Sequence, residues 1–143
     1  MVRAYLDAGL RSISLADTAG HAHPAQVERM FGAVFRMDPQ VESTCHFHNT
    51  YGLGMANVFA AMRAGVTSFE TSFAGLGGCP FTKVAAGNVA TEDFVHALHR
   101  QGDRADVSLG SLIAVARDVA GFFGREMQGF VYKTGPIEAK VAS

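Results

Sequence analysis

The sequence predicts an α/β protein made of parallel β-α units, and more narrowly an incomplete (β/α)8 barrel, roughly the C-terminal half with its last three to four units. Short β-type segments alternate with amphipathic helical segments along the chain. Unusual polar residues follow the strands directly, which is where such a barrel keeps its active site. The chain has 143 residues, whereas a complete barrel takes about 250.

The first unit begins with residues 1–8, which the pattern predicts to be the last turns of a helix closed by Gly9. Residues 12–16 alternate small polar and apolar side chains, as a strand does, and this strand ends at Asp17. Pro24 suits the first turn of the next helix. That helix carries a single apolar stripe of Val27, Met30, Phe31, Val34 and Phe35.

The second unit starts near Val41, passes through His46 and His48, and turns at residues 49–52. A helix should then cover residues 54–64. Its predicted buried face consists of Met55, Val58, Phe59 and Met62. A third strand is expected over residues 67–73 and a weak fourth over residues 84–89. Between them, residues 75–80 are too glycine-rich for regular structure.

Two helices complete the prediction. Thr91 is a plausible N-cap for the first, Glu92 and Asp93 lie near its positive end, and Gly102 ends it. The last amphipathic helix is marked by Leu109, Leu112, Ile113, Ala116, Val119, Phe122 and Phe123. We therefore expect a partial barrel domain over residues 1–123 and a C-terminal tail over residues 124–143.

Composition restricts the classes of function. The net charge is −1 and no long basic block occurs, which argues against binding to nucleic acid or to an anionic membrane. No apolar run is long enough to span a bilayer and no signal peptide is evident, so a cytoplasmic location is expected. Two cysteines are too few for a disulfide framework, so both should be reduced thiols. The expected partners are small molecules or other subunits.

The pair His46 and His48 is the main candidate for a metal site. Side chains alternate along a strand, so the two imidazoles should lie on the same face. Neutral imidazole is the commonest metal ligand, and two residues on one rigid strand can share an ion at roughly 2.0–2.2 Å. The alternative is a pair of histidines in a barrel interior, hydrogen-bonded to their neighbours.

Three other residues are candidates, each with an alternative. Asp17 suits proton transfer or the binding of a substrate hydroxyl, or else it caps the following turn. Cys79 is either a reactive thiol in the glycine-rich segment or a small residue filling a turn. Asn88 offers an amide oxygen to a hard metal ion, or adopts a turn conformation before the helix. By contrast, His21 and His23 should be solvent-facing turn residues.

Four segments resemble one family closely. They are Ile-Ser-Leu-Ala-Asp-Thr-Ala-Gly (residues 13–20), His-Phe-His-Asn-Thr-Tyr-Gly (46–52), Ala-Gly-Leu-Gly-Gly-Cys-Pro-Phe (74–81) and Gly-Asn-Val-Ala-Thr-Glu-Asp (87–93). Together they resemble hydroxymethylglutaryl-CoA lyase, a metal-dependent barrel of the pyruvate carboxyltransferase type. The Gly-Gly-Cys-Pro segment favours the lyase over the related isopropylmalate and homocitrate synthases, which usually lack it.

The resemblance implies cleavage of 3-hydroxy-3-methylglutaryl-CoA, an acyl-CoA substrate, into acetyl-CoA and acetoacetate, the last step of leucine breakdown. It implies Mg²⁺ or Mn²⁺ as the cofactor, with His46, His48 and Asn88 as metal ligands. It further implies Asp17, Cys79 and His46 as catalytic residues. The chemistry is consistent, because the reaction removes a tertiary hydroxyl proton and then protonates a thioester enolate.

The chain also departs from that family. The family carries a further metal-ligand aspartate with a neighbouring arginine in an Asp-Gly-Leu-Gln-like segment, which this sequence lacks. Glu70 stands where the family often has aspartate. We therefore expect a fragment or truncated reading frame with little or no lyase activity alone. An isolated half barrel should also expose two sheet edges and one apolar face, which would favour a homo-oligomer or pairing with a missing N-terminal half.

Two further classes stay open. An amidohydrolase-type metal enzyme also places an H-x-H pair at a strand end, although it normally uses an early strand and adds His, Lys and Asp ligands. A non-catalytic half barrel that associates through its sheet edges is the other alternative.

Overall fold

The computed structural model describes residues 1–78 and 87–137. The chain divides into two compact units, one made of residues 1–71 and 77–88 and the other of residues 72–76 together with residue 89 onward. Cys79 and residues 84–86 of the predicted fourth strand lie outside the described residues. None of the helices in the described part of the chain is long and apolar enough to cross a membrane.

The first unit is built on a parallel three-stranded sheet in the order β1-β2-β3. The strands are β1 (Ser12–Asp17), β2 (Glu42–Phe47) and β3 (Ser68–Glu70). The first two match their predictions. The third is shorter than predicted, because a 3-10 turn at Phe73–Gly75 follows it, in which Ala74 has a φ of 56°.

Three helices belong to this unit: α1 (Val2–Asp7), α2 (Pro24–Met37) and α3 (Gly54–Arg63). Of the predicted apolar stripe of α2, Val27, Phe31 and Val34 are buried, whereas Met30 is exposed and Phe35 is half-buried. Of the three helices, α2 connects β1 to β2 and α3 connects β2 to β3, which confirms the predicted β-α units.

The buried face of α3 differs from its prediction. Small residues and one polar residue are buried there, namely Gly54, Asn57, Val58, Ala60 and Ala61, whereas Met55, Phe59 and Met62 are only half-buried. Small side chains let the helix backbone approach its neighbours closely. The Asn57 side chain is fully buried and donates a hydrogen bond from Nδ2 to the Ala22 carbonyl at 2.9 Å. A prediction that assigns the most hydrophobic side chains of a helix to its buried face misses this arrangement.

The two faces of the sheet differ in chemistry. One face packs Cys45 and Phe47 into the core. The other face is half-buried or exposed, and it carries small and polar side chains: Ser12, Ser14, Ala16, Glu42, Thr44, His46, Ser68 and Glu70. The expectation that the sheet exposes an apolar face is therefore wrong. The residues that point away from the helices are the ones suited to water and to polar ligands.

The second unit consists of α4 (Thr91–Arg100), α5 (Leu109–Phe123) and α6 (Val131–Thr134), together with the Phe73–Gly75 turn. The α5 bounds agree with the prediction. Its core contains Ala74, Ala116, Met127 and Tyr132, so side chains beyond residue 123 contribute to the packing.

The start of α4 also differs from its prediction. Ala90 is the N-cap and Thr91 is the first helical residue. Glu92 and Asp93 do lie in the first turn, and both accept hydrogen bonds from distant backbone amides. The Glu92 carboxylate accepts from Ala74 N at 3.0 Å, and that of Asp93 accepts from Val131 N at 2.7 Å.

Candidate metal site

The imidazoles of His46 and His48 converge at the carboxyl end of β2. His46 is in the strand, and His48 lies just beyond it in an isolated antiparallel bridge with Asn88. The two Nε2 atoms are 3.2 Å apart, and the ring planes are inclined by 59°. His48 is buried, whereas the His46 side chain retains 27% of its exposure. The strand alternation thus places both rings on one side, as predicted.

This spacing fits a shared ion. Two nitrogens bound to one cation at roughly 2.0–2.2 Å and at a right angle lie roughly 3 Å apart. The observed Nε2 separation of 3.2 Å is close to that value.

Glu70 contacts the opposite edge of the His46 ring. Its Oε2 atom lies 2.9 Å from His46 Nδ1. The two residues are register partners on adjacent parallel strands, so their side chains project from the same face. Sequence reasoning noted Glu70 only as a departure from the family. Its contact with His46 depends on strand register, which the sequence does not show directly. A carboxylate at the end of the strand next to the histidine strand could nevertheless have indicated the contact.

Asn88 is held next to His48 by backbone contacts. It forms the bridge with His48, and the preceding Gly87 accepts a hydrogen bond from Asn49 N at 3.1 Å. Gly77 packs on the amide: a Cβ at Gly77, where φ is +115°, would lie 2.7 Å from Asn88 Nδ2. A glycine at residue 77 therefore leaves room for the Asn88 side chain.

Asp17 caps the loop that follows β1. Its two carboxylate oxygens accept hydrogen bonds from His21 N at 3.0 Å and from Ala22 N at 2.8 Å. This is the capping arrangement that was the alternative to a catalytic role. Asp17 also lines a cavity of about 210 Å³ together with Leu15, His21, Met30, Phe31 and Phe47, among others. Asp17 is the register partner of Phe47, so it and this cavity lie on the Phe47 face of the sheet, opposite to the face that carries His46.

Three other residues, His21, His23 and Cys45, are not part of the His46 and His48 pair. His21 and His23 are exposed, as predicted for turn residues. Cys45 is buried within β2, directly before His46. Burial raises the pKa of its thiol to about 12, which makes it an unreactive core residue. Across residues 1–78 and 87–137, no group of three or more His, Cys, Asp or Glu side chains is arranged to hold a metal ion. The candidate donors that the described residues bring together are His46 and His48, with Asn88 alongside.

A parallel β-α sheet that carries its polar site residues at the carboxyl ends of the strands defines part of a (β/α)8-barrel protein. The HMGL-like family profile matches residues 1–119. Because this match covers most of the chain, the protein belongs to the HMGL-like family.

Its relatives are lyases. An (R)-citramalyl-CoA lyase from Chloroflexus aurantiacus is 40% identical over 138 residues, which are 96% of this chain and 44% of the relative. A hydroxymethylglutaryl-CoA lyase from Pseudomonas mevalonii is 39% identical over 124 residues, or 87% of this chain and 41% of the relative.

Two solved structures of HMG-CoA lyases are also similar to this chain. An HMG-CoA lyase from Acinetobacter baumannii, in complex with coenzyme A and 3-methylmalate, superposes with a TM-score of 0.87 at 39% identity, covering 95% of this chain and 45% of the other. The Bacillus subtilis HMG-CoA lyase gives 0.83 at 35% identity, covering 92% and 44%. The chain thus spans less than half the length of these relatives, and the predicted partial barrel is confirmed.

Proposed function

We propose that this chain carries the histidine half of a hydroxymethylglutaryl-CoA lyase site, for cleavage of 3-hydroxy-3-methylglutaryl-CoA to acetyl-CoA and acetoacetate in leucine breakdown. The observation that carries the proposal is the convergence of His46 Nε2 and His48 Nε2 at 3.2 Å. Family membership supports it, since the relatives described above are acyl-CoA lyases.

The proposed metal is Mg²⁺ or Mn²⁺, held by His46, His48 and the amide oxygen of Asn88. Two imidazoles and an amide are compatible with Mn²⁺ and acceptable for Mg²⁺, which prefers oxygen. When bound, the cation supplies Lewis-acid polarisation of the substrate oxygens. The role of His46 and His48 is to hold the ion at the strand ends, where the substrate of a barrel enzyme lies.

Asp17 and Cys79 are the proposed proton-transfer residues. In the cleavage, a base removes the tertiary hydroxyl proton, the carbonyl forms, and the electron pair of the broken C–C bond moves to the thioester enolate. The enolate then takes a proton to give acetyl-CoA. An ionised carboxylate has about four acceptor positions, so Asp17 keeps capacity for the hydroxyl beside its two loop amides. Cys79, whose thiol is the proposed proton donor, lies outside the described residues.

The chain alone is expected to have little or no activity. Two imidazoles and an amide leave the charge of a divalent cation without a directly bound carboxylate, which weakens binding of a hard ion. In addition, β1 and β3 are the edge strands of the sheet that residues 1–78 and 87–137 form. Pairing with an N-terminal half barrel, or association of two copies, would cover such edges.

Metal binding gives the first test. The purified chain is titrated with Mn²⁺, and free Mn²⁺ is measured by electron paramagnetic resonance. We expect one weakly bound ion, which is lost in His46→Ala and His48→Ala. The matched control is His23→Ala, because His23 is exposed and its side chain makes no cap hydrogen bond at the start of α2. Equal Mn²⁺ binding by the His48→Ala chain would contradict the proposal.

Substrate choice gives the second test. This chain replaces the matching segment of the P. mevalonii lyase, and the chimera is assayed with Mg²⁺ on 3-hydroxy-3-methylglutaryl-CoA. We expect acetoacetate release that His48→Ala abolishes. (R)-Citramalyl-CoA is the second candidate substrate, because the relative named for it aligns with 96% of the chain. A folded chimera that prefers it would replace the proposed substrate, and one that cleaves neither compound would overturn the lyase proposal.

A further inference from the structure

We propose that Glu70 is a positioning residue that fixes His46 in the tautomer with its proton on Nδ1, so that the Nε2 lone pair is available to a metal ion. This inference rests on the metal site of the proposed function and adds to it a residue outside the implied ligand set. It is carried by the contact of 2.9 Å between Glu70 Oε2 and His46 Nδ1.

The contact is built into the sheet. His46 and Glu70 are paired directly across β2 and β3, and Thr44 and Ser68 are paired two residues earlier. Adjacent parallel strands hold their register rigidly, so the carboxylate is presented to the ring by the backbone and not by a mobile loop. A Glu70 carboxylate accepts hydrogen bonds only, so the short contact requires a proton on Nδ1.

The geometry separates the roles of Glu70 and of a metal ligand. Nδ1 and Nε2 lie on opposite edges of the imidazole ring, and His48 approaches His46 at Nε2. A carboxylate bound at Nδ1 therefore faces away from the point where the two Nε2 atoms converge. Glu70 acts through His46, as carboxylate partners of metal-bound histidines generally do.

The tautomer of His46 also sets that of its neighbour. At 3.2 Å, one Nε2 donates and the other accepts when no ion lies between them. With the Nδ1 proton of His46 assigned by Glu70, its Nε2 is the acceptor, and His48 Nε2 donates. Binding a cation at both Nε2 atoms would require His48 to transfer its proton from Nε2 to Nδ1, whereas His46 keeps its tautomer, so the His46 ring is already arranged for binding.

Glu70 also supplies negative charge. Both imidazoles and the Asn88 amide are neutral donors, and the Glu70 carboxylate lies one hydrogen bond away from them, at His46 Nδ1. Loss of such an outer partner typically weakens metal affinity by about 10–100-fold. A glutamate at residue 70 is long enough to reach Nδ1 across the strands.

The test combines metal affinity with a spectroscopic measurement. Mn²⁺ alone is titrated into the full chain and into Glu70→Leu, Glu70→Gln and Glu42→Gln. Glu42 is the matched control, an exposed carboxylate on the same sheet face at the far end of β2. We expect Glu70→Leu to weaken Mn²⁺ binding by about 10–100-fold, Glu70→Gln to weaken it less because its amide oxygen still accepts from Nδ1, and Glu42→Gln to leave it unchanged.

The tautomer is measured separately, without metal, from the ¹⁵N chemical shifts of the His46 ring at a pH where both histidines are neutral. We expect an Nδ1 proton in the unmodified chain and in Glu70→Gln, and loss of that preference in Glu70→Leu. The Glu70 side chain is 54% exposed, so these variants should fold, which circular dichroism verifies.

The outcomes separate the two proposals. If the unmodified chain does not bind Mn²⁺, the proposed metal site fails, while the ring shifts still decide the role of Glu70. If it binds and Glu70→Leu binds equally well, or if the Nδ1 proton is absent from the unmodified chain, the inference is overturned.

Discussion

Gly129 is expected to be a position where one methyl group destabilises the second unit. A Cβ on Gly129 would lie 2.5 Å from Glu92 Oε1 and 3.2 Å from the backbone Cα and C of Ala74. Glu92 is fully buried, and its other oxygen is hydrogen-bonded to Ala74 N. Gly129 N in turn donates to the Ala74 carbonyl at 2.9 Å. Neither neighbour can move away without breaking one of these hydrogen bonds.

The size of the effect follows from opposing contributions. Forcing an extra carbon into a packed site costs about 1–3 kcal/mol. Replacing glycine with alanine lowers the entropy of the unfolded chain, which offsets about 0.4–1 kcal/mol. The expected net loss for Gly129→Ala is therefore about 1–2 kcal/mol in the free energy of unfolding. For a chain of this size, that lowers the melting temperature by about 2–8 °C.

Urea unfolding followed by far-UV circular dichroism measures this loss. The matched control is Gly121→Ala, in the last turn of α5, where an added Cβ meets nothing within 4 Å. There alanine should stabilise by about 0.5–1 kcal/mol, since glycine is a poor helix former. In the background of Glu92→Ala, the Gly129→Ala penalty should shrink, because the 2.5 Å contact is gone. If Gly129→Ala stabilises as much as Gly121→Ala does, the packing argument is wrong.

Three further predictions concern buried or capping groups. Burial raises the pKa of Glu92 above its ordinary value of 4.5, so its contribution to stability is full below that pH and is lost as the pH rises through the folded-state pKa. As the pH rises from acid to neutral, the Glu92→Gln variant should therefore become more stable relative to the unmodified chain. A difference between their urea midpoints that stays constant with pH would contradict this. Ser108 Oγ accepts a hydrogen bond from Ser111 N at the start of α5. Ser108→Ala should therefore lower the free energy of unfolding by about 0.5–2 kcal/mol, measured by thermal unfolding. An unchanged free energy would show that the cap does not stabilise the helix. Burial raises the pKa of the Cys45 thiol to about 12. In a Cys79→Ser chain, Cys45 should therefore resist N-ethylmaleimide when the chain is folded and take up one label in urea, measured by intact mass. Labelling of the folded chain would refute the burial of Cys45.

Local patterns predicted much of the fold. Alternation over residues 12–16 predicted β1, and the spacing of apolar residues predicted α2 and α5 with bounds close to those observed. These signals depend on side-chain periodicity, which each segment carries by itself. The third strand was predicted too long, because the left-handed conformation of Ala74 is imposed by its surroundings and not by its own side chain.

Packing partners were less predictable. Asp93 was expected to act on the helix dipole, and it also binds the backbone amides of Phe130 and Val131, which are 37 and 38 residues away. Similarly, the buried face of α3 consists of small residues and Asn57. The residue pattern of a single helix does not show which of its faces packs closely against a neighbouring element.

The sequence by itself determined the parallel β-α class and the pairing of His46 with His48, because side-chain alternation along one strand is a local property. It also carried the motifs that resemble the lyase family. Only the tertiary structure placed Glu70 on His46. That contact depends on strand register, which is set by packing across elements and which no single segment encodes. The bonds from the loop amides to Asp17 are local, and the sequence had already given this cap as one alternative.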